Sequence, residues 1–207
     1  MQSRGVFYVI RRVRDTLSAF PRPPIISIHA HNDFGLALAN TFAGVRAGGR
    51  IIDVCVNGLG ERAGNAALAE VVLALEVFYG VNTNIRLDGL VEISKYGEMV
   101  SGLPIPTNKP FMGEYVCADQ ADSHVKAYLD NPQGLEGIKP AVYGNRRKII
   151  MGQNSGKITL EHKIRELKLD VPSDQYPQIL ERVRAASLQS KGRVLTDSDL
   201  IKIIRQP

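Results

Sequence analysis

The sequence predicts an α/β fold of parallel strand–helix units, curved toward a barrel rather than laid out as an open sheet. Three observations lead there. Apolar runs at 25–31 (IISIHAH) and 51–57 (IIDVCVN) have strand length, and helical apolar spacing follows each. One helix-length segment separates the two runs, which is the arrangement of a crossover between parallel strands. Both runs turn polar at their C-terminal ends, where parallel α/β sheets gather their working groups. Side-chain alternation puts Ser27, His29 and His31 on one face, opposite Ile26, Ile28 and Ala30. In the second run Asp53, Cys55 and Asn57 oppose Ile52, Val54 and Val56. One apolar and one polar face per strand suits a barrel with a polar mouth better than a sheet buried on both sides.

The elements follow in order. Residues 5–18 read as a helix with Val6, Val9, Ile10 and Val13 on its apolar face, stopped by Pro21, Pro23 and Pro24. After the strand at 25–31, Leu38, Phe42 and Val45 recur at helical spacing, and Gly48–Gly49 ends that helix. The strand at 51–57 leads through the loop GLGERAG into a helix from about Asn65 to Phe78, and another helix covers 87–102. The three prolines of LPIPTNKPFMG mark a boundary. The predicted organisation is a first domain at 1–102, a linker at 103–118 and a small, mainly helical subdomain at 119–207. Helices are expected there near 119–129, 158–168, 173–188 and 196–205. Thr196 reads as the N-cap of the last, with Asp199 three residues on.

Composition narrows the function. A chain of 207 residues with 44% hydrophobic content has enough apolar mass for a core. It contains no 18-residue apolar run, and its start lacks the features of a signal peptide, so a cytoplasmic protein without a membrane span is expected. Cys55 and Cys117 lie far apart in apolar surroundings and read as two thiols. The net charge of +5 is spread without an aromatic-interleaved stripe, which argues against nucleic acid and suits a small anionic substrate.

The chemistry concentrates in two stretches. In SIHAHNDFG, His29 and His31 are two apart on a strand. A rise of about 3.3 Å per residue sets their Cβ atoms roughly 6–7 Å apart on one face. Their rings could converge on a divalent cation, or be two histidines satisfied by hydrogen bonds. Asp33 could cap the next helix or orient a ligand imidazole from behind. In NGLGERAGN, Gly58, Gly60 and Gly64 allow the backbone a close approach, Glu61 and Arg62 sit between them, and Asn65 stands where an N-cap would. The spacing G-x-G-x-x-x-G is not a dinucleotide fingerprint, and MGQNSGK has one residue too few for a phosphate loop; it reads as a turn capping the helix near Ile158.

HAHNDFGLALAN followed by NGLGERAGNAAL resembles the 2-isopropylmalate synthase and homocitrate synthase family, acyl-CoA-dependent Claisen condensing enzymes on a TIM (β/α)8 barrel. NKPFMGE and GQNSGKITLEHKIREL resemble that family's linker and first subdomain. Hydroxymethylglutaryl-CoA lyases read His-Asp after the histidine pair and carry a cysteine loop in place of GERAGN. The resemblance implies that residues 5–80 are the last two βα units of the barrel. It implies His29, His31 and Asn65 as metal ligands, for zinc, magnesium or manganese. The family's ligand Asp and its neighbouring Arg belong to the first barrel strand, so an incomplete barrel, inactive alone, is expected. Glu61, with Asn57, Gly58 and Gly60 around it, is implied in the pocket for acetyl-CoA and a 2-oxo acid. His124 aligns with a catalytic acid/base that reaches the partner subunit of a homodimer. The family's earlier histidine is replaced near Asp119 or Gln120. Tyr143 is a further catalytic candidate from the subdomain, and His162 reads as structural. The implied reaction joins the methyl carbon of acetyl-CoA to the keto carbon of the 2-oxo acid, releasing CoA in a biosynthetic pathway. A non-catalytic dimerisation or binding module, or a related metal-dependent aldolase or lyase barrel, are the alternatives.

Overall fold

A computed structural model describes residues 1–190 and 194–206. The chain divides into two compact units, Met1–Gly113 and Glu114–Pro207. The first contains helix α1 (Ser3–Leu17), strand β1 (Ser27–Ile28), helix α2 (Ala37–Ala47), strand β2 (Ile51–Ile52), helix α3 (Leu68–Tyr79) and helix α4 (Leu90–Ser101). β1 and β2 pair in parallel, Ser27 with Ile51 and Ile28 with Ile52, and α2 makes the crossover between them. This is the strand–helix–strand unit that the polar-ended runs predict.

Both strands are shorter than the apolar runs, for a reason visible in the hydrogen bonds. Beyond Ile28 the first run turns to a new partner: Ala66 N–H donates to the Ala30 carbonyl, and Asn32 N–H to the Gly64 carbonyl. The second run does likewise, with Cys55 N–H donating to Ala66 and its carbonyl accepting from Leu68. Residues 64–68 thus run as an extended segment between the two strand ends. That use of the chain delays α3, which begins at Leu68 with Ala67 at its N-cap. Asn65 is therefore not a helix cap, and its side chain is left for another task.

The first unit's core combines small residues with buried Ile28, Leu73 and Leu90. Ala37, Ala66 and Val71 are buried, with Phe42, Ile52 and Val54 packed against them. α1 packs on α2 yet has no buried residue, and Val9 and Val13 of its expected apolar face stay about two-fifths exposed. Residues 103–113 fold onto this unit rather than acting as a free linker. Ile105 N–H donates to the Glu98 carboxylate at 2.7 Å, and the Lys109 ammonium reaches Glu70 at 2.8 Å.

The second unit holds strand β3 (Ala118–Asp119), helix α5 (Asp122–Asp130), strand β4 (Lys148–Ile149) and helices α6 (Lys157–Glu166), α7 (Tyr176–Gln189) and α8 (Asp197–Ile204). β3 and β4 pair in parallel, an element the mainly helical expectation missed. Met151, Leu160, Ile164, Val183, Leu200 and Ile203 form one aliphatic core. Thr196 caps α8 in a reciprocal pair with Asp199, as its spacing predicts. The turn before α6 is capped from a distance: Asp122 accepts from the N–H groups of Gly156, Ile158 and Thr159 at 3.0 Å each. Among the described residues no helix is long and apolar enough to cross a membrane.

Candidate functional site

The parallel register decides what meets at the strand ends. Because Ser27 pairs with Ile51, positions 29 and 53 fall at one level, and positions 31 and 55 at the next. The Asp53 carboxylate accepts from Ser27 Oγ at 3.3 Å and lies 3.5 Å from His29 Nδ1. An imidazole held at Nδ1 by a carboxylate presents Nε2 outward, the usual arrangement behind a metal-ligating histidine.

His29 Nε2 points at His31 Nε2 across 3.2 Å, with the rings nearly perpendicular. Two imidazoles on one tetrahedral zinc ion, at about 2.0–2.1 Å each, would stand roughly 3.3 Å apart. Asn65 completes the group, its Nδ2 lying 3.3 Å from His29 Nε2. His31 Nδ1 is buried with no hydrogen-bond partner. Two imidazoles suit a borderline divalent cation; the Asn65 amide faces them with Nδ2 and would ligate such a cation through Oδ1 once turned over. Among the described residues no three His, Cys, Asp or Glu side chains gather at metal-binding range, so a carboxylate is not among its ligands here.

The loop's glycines explain how Asn65 arrives. A Cβ on Gly60 would fall 1.9 Å from Asn65 Oδ1, and one on Gly64, whose φ is +82°, would fall 2.0 Å from the Gly58 carbonyl oxygen. The glycines are needed for the loop to close on itself. Cys55 Sγ lies 3.7 Å from Asn65 Oδ1 and holds the other end of the amide.

Several candidates sit elsewhere than the sequence suggested. Asp33 neither caps α2 nor supports an imidazole. Asn32 Oδ1 accepts from Ala37 N–H at the start of α2, and Asp53 stands behind His29. Asp33 instead forms a two-point pair with Arg62 at 2.9 and 3.1 Å, clasping the two loops. The Arg62 hydrogen bond holds the Asp33 carboxyl below its ordinary range. Glu61 is exposed, and its carbonyl accepts from Gly64 N–H. Asn57 turns toward α4: its Nδ2 donates to the Ser94 carbonyl at 2.9 Å and its Oδ1 accepts from the Ser94 hydroxyl. Ser94 engages both ends of that amide, and Asn57 lines a small cavity with Glu70, Ser94 and Lys109.

In the second unit the His124 side chain is 67% exposed, with Nδ1 3.8 Å from Asp119. Asp119 is itself paired with Arg147, which also holds Glu136 at 3.0 Å. Tyr143 lies in the interior of the second unit. It is 4% exposed, with its oxygen 3.1 Å from Cys117 Sγ. Burial, reinforced by the Cys117 thiol, pushes its phenol well above the ordinary value. Asp53 and Cys55 are the residues that reading the motif alone misses. The signal for them was present in the shared face of 53 and 55, but only the strand register links it to the histidines.

Comparison with known proteins bears on both units. A family model described as HMGL-like matches residues 1–96, and one described as homocitrate synthase post-HMGL domain-like matches residues 111–191. The chain is 41% identical over 181 residues to (R)-citramalate synthase CimA of Methanocaldococcus jannaschii, covering 87% of this chain and 36% of that protein. It is 38% identical over 208 residues to 2-isopropylmalate synthase of the same organism, covering 99% and 39%. It is 34% identical over 202 residues to homocitrate synthase AksA of Methanothermobacter thermautotrophicus, covering 98% and 50%. The chain therefore spans between 36% and 50% of the length of these relatives.

Proposed function

Because this chain belongs to the 2-isopropylmalate and homocitrate synthase family, with its first unit the C-terminal part of an HMGL-like TIM barrel, we propose that it carries part of a metal-dependent site. That site condenses acetyl-CoA with a 2-oxo acid. The observation that carries the reading is the convergence of the His29 and His31 Nε2 atoms at 3.2 Å, with the Asn65 amide beside them at the ends of parallel strands. His29, His31 and Asn65 would hold a divalent cation, which supplies Lewis acidity toward the carbonyl of the 2-oxo acid.

The chain's own residues do the rest of the work. Asp53 fixes the His29 ring through Nδ1 and favours the tautomer whose Nε2 lone pair is free to ligate. Gly60 and Gly64 give the amide of Asn65 its place. The Asp33–Arg62 pair holds the histidine loop to the loop that carries Asn65. Glu61, exposed on the outer turn, is proposed to face substrate beside Gly58 and Gly60. Exposed His124, with Asp119 behind its Nδ1, is proposed to move a proton at its imidazole in an assembled homodimer. Two imidazoles and an amide form a weak site without a carboxylate. This polypeptide alone is therefore expected to bind zinc weakly and not to turn over.

Zinc titration of the 207-residue chain, read by calorimetry, tests the reading. One equivalent should bind, and His29→Ala and His31→Ala should each weaken binding at least tenfold, an effect of the order seen for changes around metal ligands. Equal zinc binding by the wild type and the double histidine variant would sink it. Thiol release from acetyl-CoA with pyruvate, 2-oxoisovalerate, 2-oxoglutarate or oxaloacetate would contradict the expectation that this polypeptide is inert by itself.

A further inference from the structure

The pair formed by Glu70 and Lys109 stands apart from the surface ion pairs of the first unit. Their charged atoms are 2.8 Å apart and their side chains only 17% and 20% exposed. The other acid–base pairs of this unit have side chains 42% exposed or more. Removing two charges from water is costly, and an apolar pair of similar volume often stabilises a fold as well or better. The pair's use is therefore sought in what it positions.

Lys109 comes from the proline-rich segment after α4, where two tight turns fix its backbone. Its N–H donates to the Pro106 carbonyl at 2.9 Å, and its carbonyl accepts from Gly113 at 2.8 Å. Glu70 lies in the first turn of α3, where a carboxylate also suits the helix dipole. The ammonium lies on the side of Gly58 where a side chain would project: a Cβ there would stand 3.5 Å from Lys109 Nζ. Gly58 is the residue on which Asn65 hangs, since Asn65 N–H donates to its carbonyl at 3.0 Å. Glu70 pairs with Lys109, the Lys109 ammonium neighbours Gly58, Gly58 accepts from Asn65 N–H, and the Asn65 amide reaches His29.

We propose that Glu70 and Lys109 are positioning residues for the loop that carries Asn65. Neither touches the cation cluster. The ammonium buttresses Gly58 from behind and fixes the height at which Asn65 enters the cluster. With the Ile105–Glu98 hydrogen bond, the same pair fastens the segment at 103–113 to the first unit, so a disturbance of that segment reaches the Asn65 loop through Lys109. The consequence for ligand binding rests on the metal-site reading above; the effect on the loop does not.

Amide hydrogen exchange resolved by residue, in the whole chain, tests the proposal without a metal. Lys109→Met should speed exchange at Asn65 about tenfold, the scale of a local opening equilibrium displaced. Exchange at Leu160, in the core of the second unit, should not change. Lys109→Arg, which keeps the charge, should restore Asn65 protection. The apolar pair Glu70→Leu with Lys109→Met should keep the melting temperature near that of the wild type while Asn65 remains fast, which a merely stabilising pair would not produce. In the zinc titration Lys109→Met should weaken histidine-dependent binding severalfold. Unchanged Asn65 exchange in Lys109→Met, or full protection in the apolar pair, overturns the proposal. A wild type that binds no zinc through His29 and His31 fails the metal-site reading instead, and leaves the exchange result to decide this one.

Discussion

The two units solve opposite problems. The second holds itself together with a dense aliphatic core and charges that are buried and answered. Leu160, Val183 and Leu200 are completely inaccessible, and the Lys163 ammonium meets Glu166 at 2.7 Å and Asp197 at 2.6 Å. The first joins small alanines and valines to buried Ile28, Leu73 and Leu90, yet leaves Phe34 86%, Phe78 80% and Met99 70% exposed. Its definition lies at the rim, in a loop wound so tightly that three glycines are required, and in polar groups aimed at one another. One unit draws its stability from packing; the other spends its sequence on placing His29, His31 and Asn65.

That contrast predicts where substitutions hurt. Leu160→Ala should cost about 2–5 kcal/mol, because it opens a cavity in a core that cannot easily collapse. Thermal unfolding should show the loss in the second unit, with zinc binding by the folded chain unchanged. A loss below about 1 kcal/mol would mean the core is looser than its burial implies.

Asp122→Ala should come next, costing about 1 kcal/mol, as for other lost helix caps. The pH dependence has a definite sign. Burial works to raise the Asp122 carboxyl, and the Thr159, Ile158 and Gly156 donors outweigh it, so the folded-state value lies below the ordinary 3.8. A carboxylate depressed on folding contributes stability that is present above its unfolded value and is lost as pH falls through its folded one. Acid titration below about pH 4, followed by circular dichroism, should therefore destabilise the wild type more steeply than Asp122→Ala. Parallel curves would remove Asp122 from the account.

Arg62→Ala should have the smallest effect on stability, within about 0.5 kcal/mol, because the pair it forms with Asp33 is solvent-exposed. Its effect should appear in zinc affinity, since the pair clasps the two loops that supply the ligands. A variant that loses stability but not affinity would reverse the division of labour between core and rim.

The α/β unit is legible in the period-2 and helical spacings, and the motif pair points to the residues that meet at the strand ends, His29, His31 and Asn65. What the sequence hid has physical causes. The strands at 25–31 and 51–57 are cut short because residues 64–68 intrude between their ends, a pairing that no local pattern encodes. Asp53 was visible as polar, but its place behind His29 depends on register. The hold of Ser94, thirty-seven positions on, over both ends of the Asn57 amide leaves no local signature. The burial of Tyr143 against Cys117 belongs to tertiary packing and leaves no local pattern. The strands at 118–119 and 148–149 are too short to leave a period, and residues 103–113 carry the prolines of a linker while folding as part of the first unit.

The account stands or falls on the convergence of two imidazoles on one cation. X-ray absorption at the zinc edge, on the chain loaded with substoichiometric zinc, reports that directly. It should show two imidazole nitrogens at about 2.0–2.1 Å with oxygen completing the shell, and the imidazole signal should vanish in the His29→Ala, His31→Ala double variant. A zinc shell without imidazole, or one unaltered in the double variant, would contradict it.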